Sequence, residues 1–172
     1  FSTCLDNQFT GWDDPGYIND NPYIKDLTLQ GLAKIFSVQV MGNYHPLTIL
    51  SYAIEYSMVQ LEPWLYHFDS LVLHLIVTVL VYWFVVLLSG RPVAAVITAL
   101  LFGIHPMHVE SVAWVSGRKD VLYGVFYVGA CIAYLYYLAA ENGRRAVSYS
   151  LVLILYVLAL LAKPVAVTLP VA

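Results

Sequence analysis

Apolar residues are distributed unevenly along the chain, and their pattern predicts a membrane protein. Up to about residue 63, polar, aromatic and turn residues are mixed, and no run approaches the ~20 apolar residues that a spanning helix needs. Four apolar runs follow, at residues 66–88, 92–104, 121–140 and 147–162. The second run is short for a bilayer, so its helix is expected either to tilt little and thin the bilayer or to end below the lipid headgroups, which would leave His105 recessed. The pattern predicts an all-α integral membrane fold with about four spanning helices.

The first part of the chain is predicted to form a loop outside the hydrocarbon, with two short helices on the membrane surface. Asp26 is a candidate N-cap of the first helix, and Pro46 is a candidate first residue of the second. Apolar residues recur every three to four positions in both: Leu29, Leu32, Ala33 and Phe36, then Leu47, Leu50, Ile54 and Met58. We divide the chain into this first extracytoplasmic loop, residues 1–65, and a transmembrane helical region, residues 66–172.

Composition supports the membrane class and excludes others. The 172 residues are 60% hydrophobic and 11% charged, with a mean hydropathy of +0.74, well outside the soluble range. The net charge of -3 is spread along the chain, so no nucleic-acid partner is expected. Cys4 and Cys131 lie in a polar and an apolar segment, which argues against a disulfide between them. The chain lacks a starting methionine and stops within "AKPVAVTLPVA", so we expect an interior segment of a larger protein.

Four spanning helices would place several polar motifs on one face of the membrane. "GWDDPGY", "NYHPLT", "HPMHVESVAWVSGRKD" and "AKP" share that face, whereas Arg91, Arg144 and Arg145 share the other. Because these three arginines lie in tight turns, we assign their face to the cytoplasm. The polar motifs are then extracytoplasmic.

Carboxylates and cations on the extracytoplasmic face suit chemistry on an anionic lipid headgroup. The carboxylates are Asp13 and Asp14, and the cations are Arg118, Lys119 and Lys163. Cations neutralise a phosphate while a carboxylate takes a proton. Each group also has a structural interpretation: the aspartates precede a proline and fit an Asx turn, and Arg118 with Lys119 fits side chains that snorkel to the interface.

A divalent metal is the competing hypothesis, because the same face carries metal-ligand residue types. Besides the aspartates these are His45, His105, His108 and Glu110. On a helix, His108 and Glu110 would point about 200° apart and could not hold one ion together. His105 and His108 could, unless the His105 side chain turns toward the backbone N–H groups that it caps. We therefore favour a site without metal or other cofactor.

Four motifs in the same order carry a resemblance to a known family. "WDDPGY", "NYHPLT", "HPMHVESVAWVSGRKDVL" and "AKPVAVTLP" resemble the membrane half of the transmembrane and tetratricopeptide-repeat O-mannosyltransferases and their bacterial relatives. These are GT-C class glycosyltransferases, so the resemblance implies part of a GT-C helical bundle. It also implies that Asp13 is the catalytic base and that Asp14 is its partner.

The resemblance extends to the residues around the donor. It implies donor-phosphate ligands among Arg118, Lys119 and Lys163. Five further residues are implied to line the site: His45, His105, His108, Glu110 and Asp120. One departure is that Asp69 and Ser70 stand where the bacterial relatives have an apolar and an amide residue, which weakens any ligand role for that helix.

The implied function is transfer of a sugar, mannose, from a polyprenyl-phosphate donor to a Ser or Thr hydroxyl of a protein acceptor, with inversion. The site would face outward from a bacterial inner membrane, or into the endoplasmic reticulum lumen in a eukaryote. A transporter and an inert membrane anchor for a tetratricopeptide-repeat domain are the alternatives. A transporter would place several ionisable groups near mid-bilayer. In this sequence His74 is the one ionisable residue well inside a predicted span.

Overall fold

The computed structural model describes residues 1–171, without the side chains of Ser2 and Asn142. Its helices are α1 Leu29–Ile35, α2 Pro46–Val59, α3 Pro63–Ser89, α4 Pro92–Ile104, α5 Val109–Ala113, α6 Arg118–Ala139 and α7 Asn142–Ala162. Single 3-10 or π-helical turns lie in the first loop and between helices, and a 3-10 segment, Pro164–Val171, follows α7. No β-sheet forms in the part of the chain that is described, so the predicted all-α fold is confirmed.

Three helices are long and apolar enough to cross a bilayer, and a fourth crossing is bent. α3, α6 and α7 are the three. α4 has 13 residues, about 20 Å of helix, and is bent by 49° from the segment Pro106–Ala113 that follows. This pair forms either a broken span or a re-entrant loop. The three to four spans agree with a multi-pass membrane protein, and the short second helix predicted at residues 92–104 is confirmed.

Local sequence determines where the first spanning helices begin and end. Pro63 and Pro92 occupy the first turns of α3 and α4, where a missing N–H leaves no helical hydrogen bond unmade. Gly90 ends α3 in the left-handed conformation, at φ 65°, and donates its N–H to the carbonyl of Val86 at 2.9 Å. α3 therefore ends at Ser89, next to the end of the apolar run predicted at residues 66–88.

The helix predicted after Asp26 forms, but a different residue caps it. Thr28 Oγ1 accepts the N–H of Gly31 at 3.2 Å, as an N-cap does. The Asp26 carboxylate instead accepts the N–H of Thr28 at 2.9 Å. The expectation that Asp26 is the N-cap was wrong, because its side chain closes an Asx turn just before the helix.

α2 buries a face of mixed polarity, in which Ile49 and Ala53 accompany Thr48, Tyr52 and Glu55, and it exposes part of its predicted apolar face. Ile54 and Met58, on the predicted apolar face, are 48% and 69% exposed. A helix lying on a membrane surface would turn this face toward lipid. On the opposite face, the buried hydroxyls of Thr48 and Tyr52 donate to backbone carbonyls at the end of α7 and just before α6, at 3.0 and 2.8 Å.

The first loop and α2 pack against one end of the spanning helices. α6 packs against both α3 and α7, and α4 packs against α3. A buried cluster joins the loop and α2 to the start of α3 and to the linker before α6: Tyr17, Ile18, Ile24, Ile35, Ile49, Tyr52, Tyr66 and Val115. The polar motifs predicted to share one face therefore lie at one end of the bundle.

Candidate active site

Asp14 links the first loop to the segment before α6. Its side chain is buried, with 1% of the residue exposed. Oδ2 accepts the backbone N–H of Thr10 at 2.7 Å and its hydroxyl at 3.0 Å. Oδ1 accepts the backbone N–H of Ser116 at 3.0 Å and also its hydroxyl. With four hydrogen bonds from the protein, the Asp14 carboxylate is committed to holding these segments together.

Asp13 differs from its neighbour because its carboxylate has no hydrogen bond or ion pair with any described residue. The residue is half-buried, and its backbone carbonyl accepts the N–H of Tyr17 at 3.1 Å. Burial raises the pKa of the Tyr17 phenol, and although a hydrogen bond from Asn43 opposes this, the charge of Asp13 raises that pKa further. Asp13 thus presents an uncommitted carboxylate near Tyr17.

Lys119 lies among aromatic rings and has no carboxylate partner in the part of the chain that is described. Its Nζ is 5.1 Å from the ring centroid of Tyr17 and 5.9 Å from that of Trp114, within cation–π range. The ring of His45 lies 5.2 Å from that of Tyr17. We call Tyr17, His45, Trp114 and Lys119 the Lys119 cluster. Tyr17 is common to both neighbourhoods, because its ring lies within cation–π distance of Lys119 and its phenol senses the charge of Asp13. A lysine without an ion-pair partner among the described residues suits an anionic ligand.

His45 is buried and neutral within this cluster. Burial, with the positive charge of Lys119 as the second cause, lowers the pKa of His45 from 6.5 to about 4. The imidazole therefore adds no second charge at neutral pH. Lys119 is the charged member of the cluster.

Arg118 is enclosed by the protein. The residue is 0% exposed, and its guanidinium forms an ion pair with Glu55 and donates to the carbonyl of Tyr66. It also donates to the hydroxyls of Ser70 and Ser51, at 3.2 and 3.3 Å. These bonds join the start of α6 to α2 and α3. The predicted phosphate ligand Arg118 is therefore buried at a helix junction.

Lys163 is more accessible than Arg118. At the end of α7, it forms an ion pair with Asp120 in which both side chains are about one-third exposed. Its Nζ lies 5.9 Å from the ring centroid of Tyr123. A partly exposed ion pair contributes little stability, so Lys163 can exchange Asp120 for another anion at small cost.

The three candidate site residues between residues 105 and 110 lie in different surroundings. His105 Nδ1 accepts the N–H of Met107 at 3.2 Å, so its side chain does turn toward the backbone that it caps. His108 is half-buried, with its ring 4.3 Å from that of Phe102, and Glu110 is exposed. Among residues 1–171, no group of three or more His, Cys, Asp or Glu side chains has the geometry of a metal site.

A glycine allows the segment before α6 to fold back on itself. A Cβ added to Gly117 would lie 2.6 Å from the carbonyl oxygen of Glu110, closer than real contacts allow. Any other residue at this position would displace α5 or the start of α6. The glycine of "SGRKD" therefore sets the position of Ser116 against Asp14 and of Lys119 in its cluster.

Sequence reasoning missed two residues that organise this site. Ser116 is a small polar residue within the longest motif, and nothing in its own context marks it as the partner of Asp14. Glu55 had a usable signal, because an acid within a mostly apolar helix needs a partner when that helix packs. Tyr17, the last residue of "GWDDPGY", lies at the centre of the Lys119 cluster.

Comparison with known proteins finds homologues among the protein O-mannosyl-transferases. The chain is 31% identical over 126 residues to protein O-mannosyl-transferase TMTC3 of Homo sapiens, covering 73% of the chain and 14% of that protein. It is 33% identical over 127 residues to Tmtc1 of Drosophila melanogaster, covering 74% of the chain and 14% of that protein. It is 37% identical over 93 residues to tmtc2 of Xenopus laevis, covering 54% of the chain and 11% of that protein.

These similarities support the family expected from the four motifs. The chain spans 14% or less of the length of these relatives. No family model matches the chain. No solved structure matches it either.

Proposed function

We propose that the chain forms the donor-binding and catalytic side of a membrane glycosyltransferase. It would transfer mannose from a polyprenyl-phosphate donor to a Ser or Thr hydroxyl of a protein acceptor. The similarity to protein O-mannosyl-transferases supports protein O-mannosylation as the activity. The residue roles rest on one observation: Asp14 is fully hydrogen-bonded, whereas Asp13 has no partner among the described residues and lies beside the Lys119 cluster.

Asp13 is the general base in this proposal. The acceptor hydroxyl oxygen attacks the anomeric carbon, the bond from that carbon to the phosphate oxygen breaks, and the phosphate leaves with the bonding electron pair. The hydroxyl proton passes to the Asp13 carboxylate. Attack on the face opposite the phosphate inverts the anomeric configuration in a single displacement.

Lys119 and Lys163 stabilise the leaving phosphate. Lys119 has no counter-ion among the described residues, and Lys163 can exchange Asp120 for the phosphate. Charge develops on the leaving oxygen in the transition state, where a nearby cation in aromatic, water-poor surroundings is most effective. A monophosphate leaving group carries little charge, so two cations suffice to stabilise it. The proposed step therefore uses no metal.

Arg118 enters the proposal as a positioning residue. Its guanidinium is already bound to Glu55, Tyr66 and two serine hydroxyls, so it holds the start of α6 and with it Lys119. The site faces away from the cytoplasm in this proposal, because the turns rich in arginine lie at the opposite ends of the helices. That face is the lumenal side of the endoplasmic reticulum in a eukaryote and the outer side of a bacterial inner membrane.

The base assignment is tested by the Asp13→Asn variant of the complete protein, in membranes at matched abundance. We expect transfer of labelled mannose from polyprenyl-phosphate-mannose to protein to fall by about 10²- to 10⁴-fold, the usual contribution of a general base. Asp20→Asn is the matched control, because Asp20 is an exposed aspartate of the same loop. It should transfer mannose at the wild-type rate.

Equal transfer by wild type and Asp13→Asn would remove Asp13 from catalysis. Transfer that falls equally in the Asp20→Asn control would point to a general charge effect of the loop. If the wild-type protein transfers no mannose, donors with other sugars then decide whether the donor is different or whether the chain is an inert anchor.

A further inference from the structure

Two tryptophan rings meet at right angles next to the candidate active site. The ring centroid of Trp12 lies 6.4 Å from that of Trp114, and their planes form an angle of 89°. Trp114 is a member of the Lys119 cluster, since Lys119 Nζ lies 5.9 Å from its ring centroid. Trp12 is the residue directly before Asp13. The pair, which we call the Trp12–Trp114 corner, is therefore linked to both groups that the proposed function uses.

Trp12 is more exposed than a tryptophan usually is. The residue is 82% exposed, so its ring contributes little to packing and is open to a ligand. Tryptophans are also exposed at membrane interfaces. Trp64 fits that role, because it is 51% exposed at the start of the spanning helix α3 and contacts Phe68 of the same helix. Trp12 instead contacts a ring of the candidate site.

The indole nitrogen of Trp114 provides a polar group at this corner. Trp114 is half-buried, and its Nε1 is shielded from solvent without an acceptor among the described residues. An indole N–H can only donate, and a shielded donor without an acceptor costs free energy. A ligand with an oxygen beside Trp114 would gain from accepting this hydrogen bond.

The proposed reaction requires a sugar ring close to both Asp13 and Lys119. The anomeric carbon is bonded to the phosphate oxygen and is attacked by the hydroxyl that Asp13 deprotonates, so the ring lies within a few bonds of both groups. Lys119 and Asp13 have Tyr17 as a common neighbour. Trp114 lies beside the same lysine. The corner is therefore within reach of a sugar whose phosphate is held by Lys119.

A pyranose ring matches two perpendicular aromatic rings. It has C–H bonds on one face and hydroxyls around its edge, and the face of an indole is the negative side of its quadrupole. One indole can lie against the C–H face while the other flanks the edge, where the N–H of Trp114 can donate to a hydroxyl. An apolar chain would leave that N–H without an acceptor. Small-molecule sites commonly combine aromatic walls with a few polar groups in this way.

We infer that Trp12 and Trp114 bind the hexose ring of the donor and make the site prefer the sugar-bearing lipid phosphate to the same lipid phosphate without its sugar. The identity of the donor rests on the proposed function. The two indoles contact the sugar, whereas Asp13 takes the proton and Lys119 binds the phosphate.

The binding test compares a short-chain prenyl phosphate that carries mannose with the same prenyl phosphate alone, on the purified complete protein. We expect the wild type to prefer the mannose-bearing ligand. That preference should fall about tenfold in Trp12→Leu and in Trp114→Leu, because each loses an aromatic contact with the sugar. Trp64→Leu is the matched control and should keep the wild-type preference. Trp12→Leu keeps the test decisive if Trp114→Leu does not fold, since Trp12 is exposed.

Transfer kinetics identify which substrate the corner binds. In membranes with the complete protein, we expect Trp12→Leu to raise the donor KM about tenfold and to leave the acceptor KM unchanged. Inhibition by sugar-free polyprenyl phosphate should stay at the wild-type level. A raised acceptor KM with an unchanged donor KM would overturn the inference, since the corner would then bind the acceptor polypeptide. Unchanged KM values for both substrates would also overturn it and would leave Trp12 as an interfacial side chain.

The failure of this inference can be distinguished from the failure of the proposed function. Equal binding of the two short-chain ligands by the wild type, or a preference that neither variant lowers, would overturn the inference at any rate of transfer. A preference that both variants lower, in a protein that transfers no mannose to protein, would confirm the corner as a sugar site and refute the proposed transfer.

Discussion

At the residue scale, chemistry depends on which side chains are already occupied. Each oxygen of the Asp14 carboxylate accepts two hydrogen bonds, whereas the Asp13 carboxylate accepts none from the described residues. The same distinction separates Lys119, which has only aromatic neighbours, from Arg118, which is enclosed. Residue types alone made these pairs look equivalent.

His45 belongs to this scale, and its burial predicts acid sensitivity. Its pKa is about 4 in the folded protein and 6.5 when exposed, so the unfolded chain binds more protons between these values. The contribution of neutral His45 to stability is therefore present above pH 6.5 and is lost as the pH falls toward 4. We expect the melting temperature of the purified protein to fall less between pH 7 and pH 4.5 in His45→Gln than in the wild type.

The control for this prediction is His105→Gln, because His105 is exposed. Its melting temperature should follow the wild-type pH dependence. An identical fall in His45→Gln and wild type would show that another group causes the acid sensitivity.

At the element scale, α2 is held by polar bonds from its buried face, which also packs through the core residues Ile49 and Ala53. Thr48, Tyr52 and Glu55 bond to three separate parts of the spanning region, while Ile54 and Met58 on the opposite face are exposed. The exposure of these two apolar side chains suits a helix on a membrane surface, because lipid accepts apolar side chains that water would reject. Thr48 and Tyr52 bond to neutral carbonyls, whereas Glu55 forms a buried ion pair with Arg118.

Removing one partner of this pair should destabilise the protein strongly. In Glu55→Ala the buried Arg118 charge loses its hydrogen-bonded counter-ion and keeps only the weaker influence of Asp69. Breaking a buried pair in this way typically costs about 3–5 kcal/mol of the free energy of unfolding. The double variant Glu55→Met with Arg118→Met should recover most of that loss, since well-packed apolar residues can replace a buried pair. Unfolding in detergent measures both, with Glu62→Ala at an exposed position as the control. A Glu55→Ala protein as stable as wild type would contradict the structural role of the pair.

At the scale of the whole molecule, one carboxylate connects the first loop to the bundle across a separation of 102 residues. Ser116 donates to Asp14 through both its backbone N–H and its hydroxyl. Asp13 is the residue directly before Asp14. The position of the proposed base relative to the donor segment thus depends on this contact. Small displacements of a catalytic group can cost about 10²-fold in rate.

Ser116→Ala should therefore lower kcat while leaving the donor KM near the wild-type value. The hydroxyl bond to Asp14 is lost and the backbone bond remains, so we expect a loss of about 1 kcal/mol in the free energy of unfolding and a fall of about tenfold in kcat. Ser57→Ala is the control, because Ser57 is exposed and bonds only locally to the carbonyl of Ile54. A raised donor KM with unchanged kcat would mean that Ser116 acts on donor binding instead.

Much of the fold follows from local sequence. The spanning helices, the short α4 and the start of α2 at Pro46 lie close to where periodicity and end signals predict them, although α3 begins at Pro63 rather than at residue 66. These features depend on residues within a few positions of each other. The cap of α1 was the local feature predicted wrongly, since Asp26 and Thr28 both have cap-forming side chains.

The sequence by itself determined the membrane class, the helices and the set of residue types from which a site could be built, because hydrophobic periodicity and helix-end signals are local. Only the tertiary structure decided that Asp13 is free and Asp14 is bound, and that Arg118 is enclosed while Lys119 is not. Those differences come from Ser116, Glu55 and Tyr17, which lie far away in sequence from the groups that they contact. A side chain's chemistry depends on its burial and its partners, and these exist only once the helices have packed.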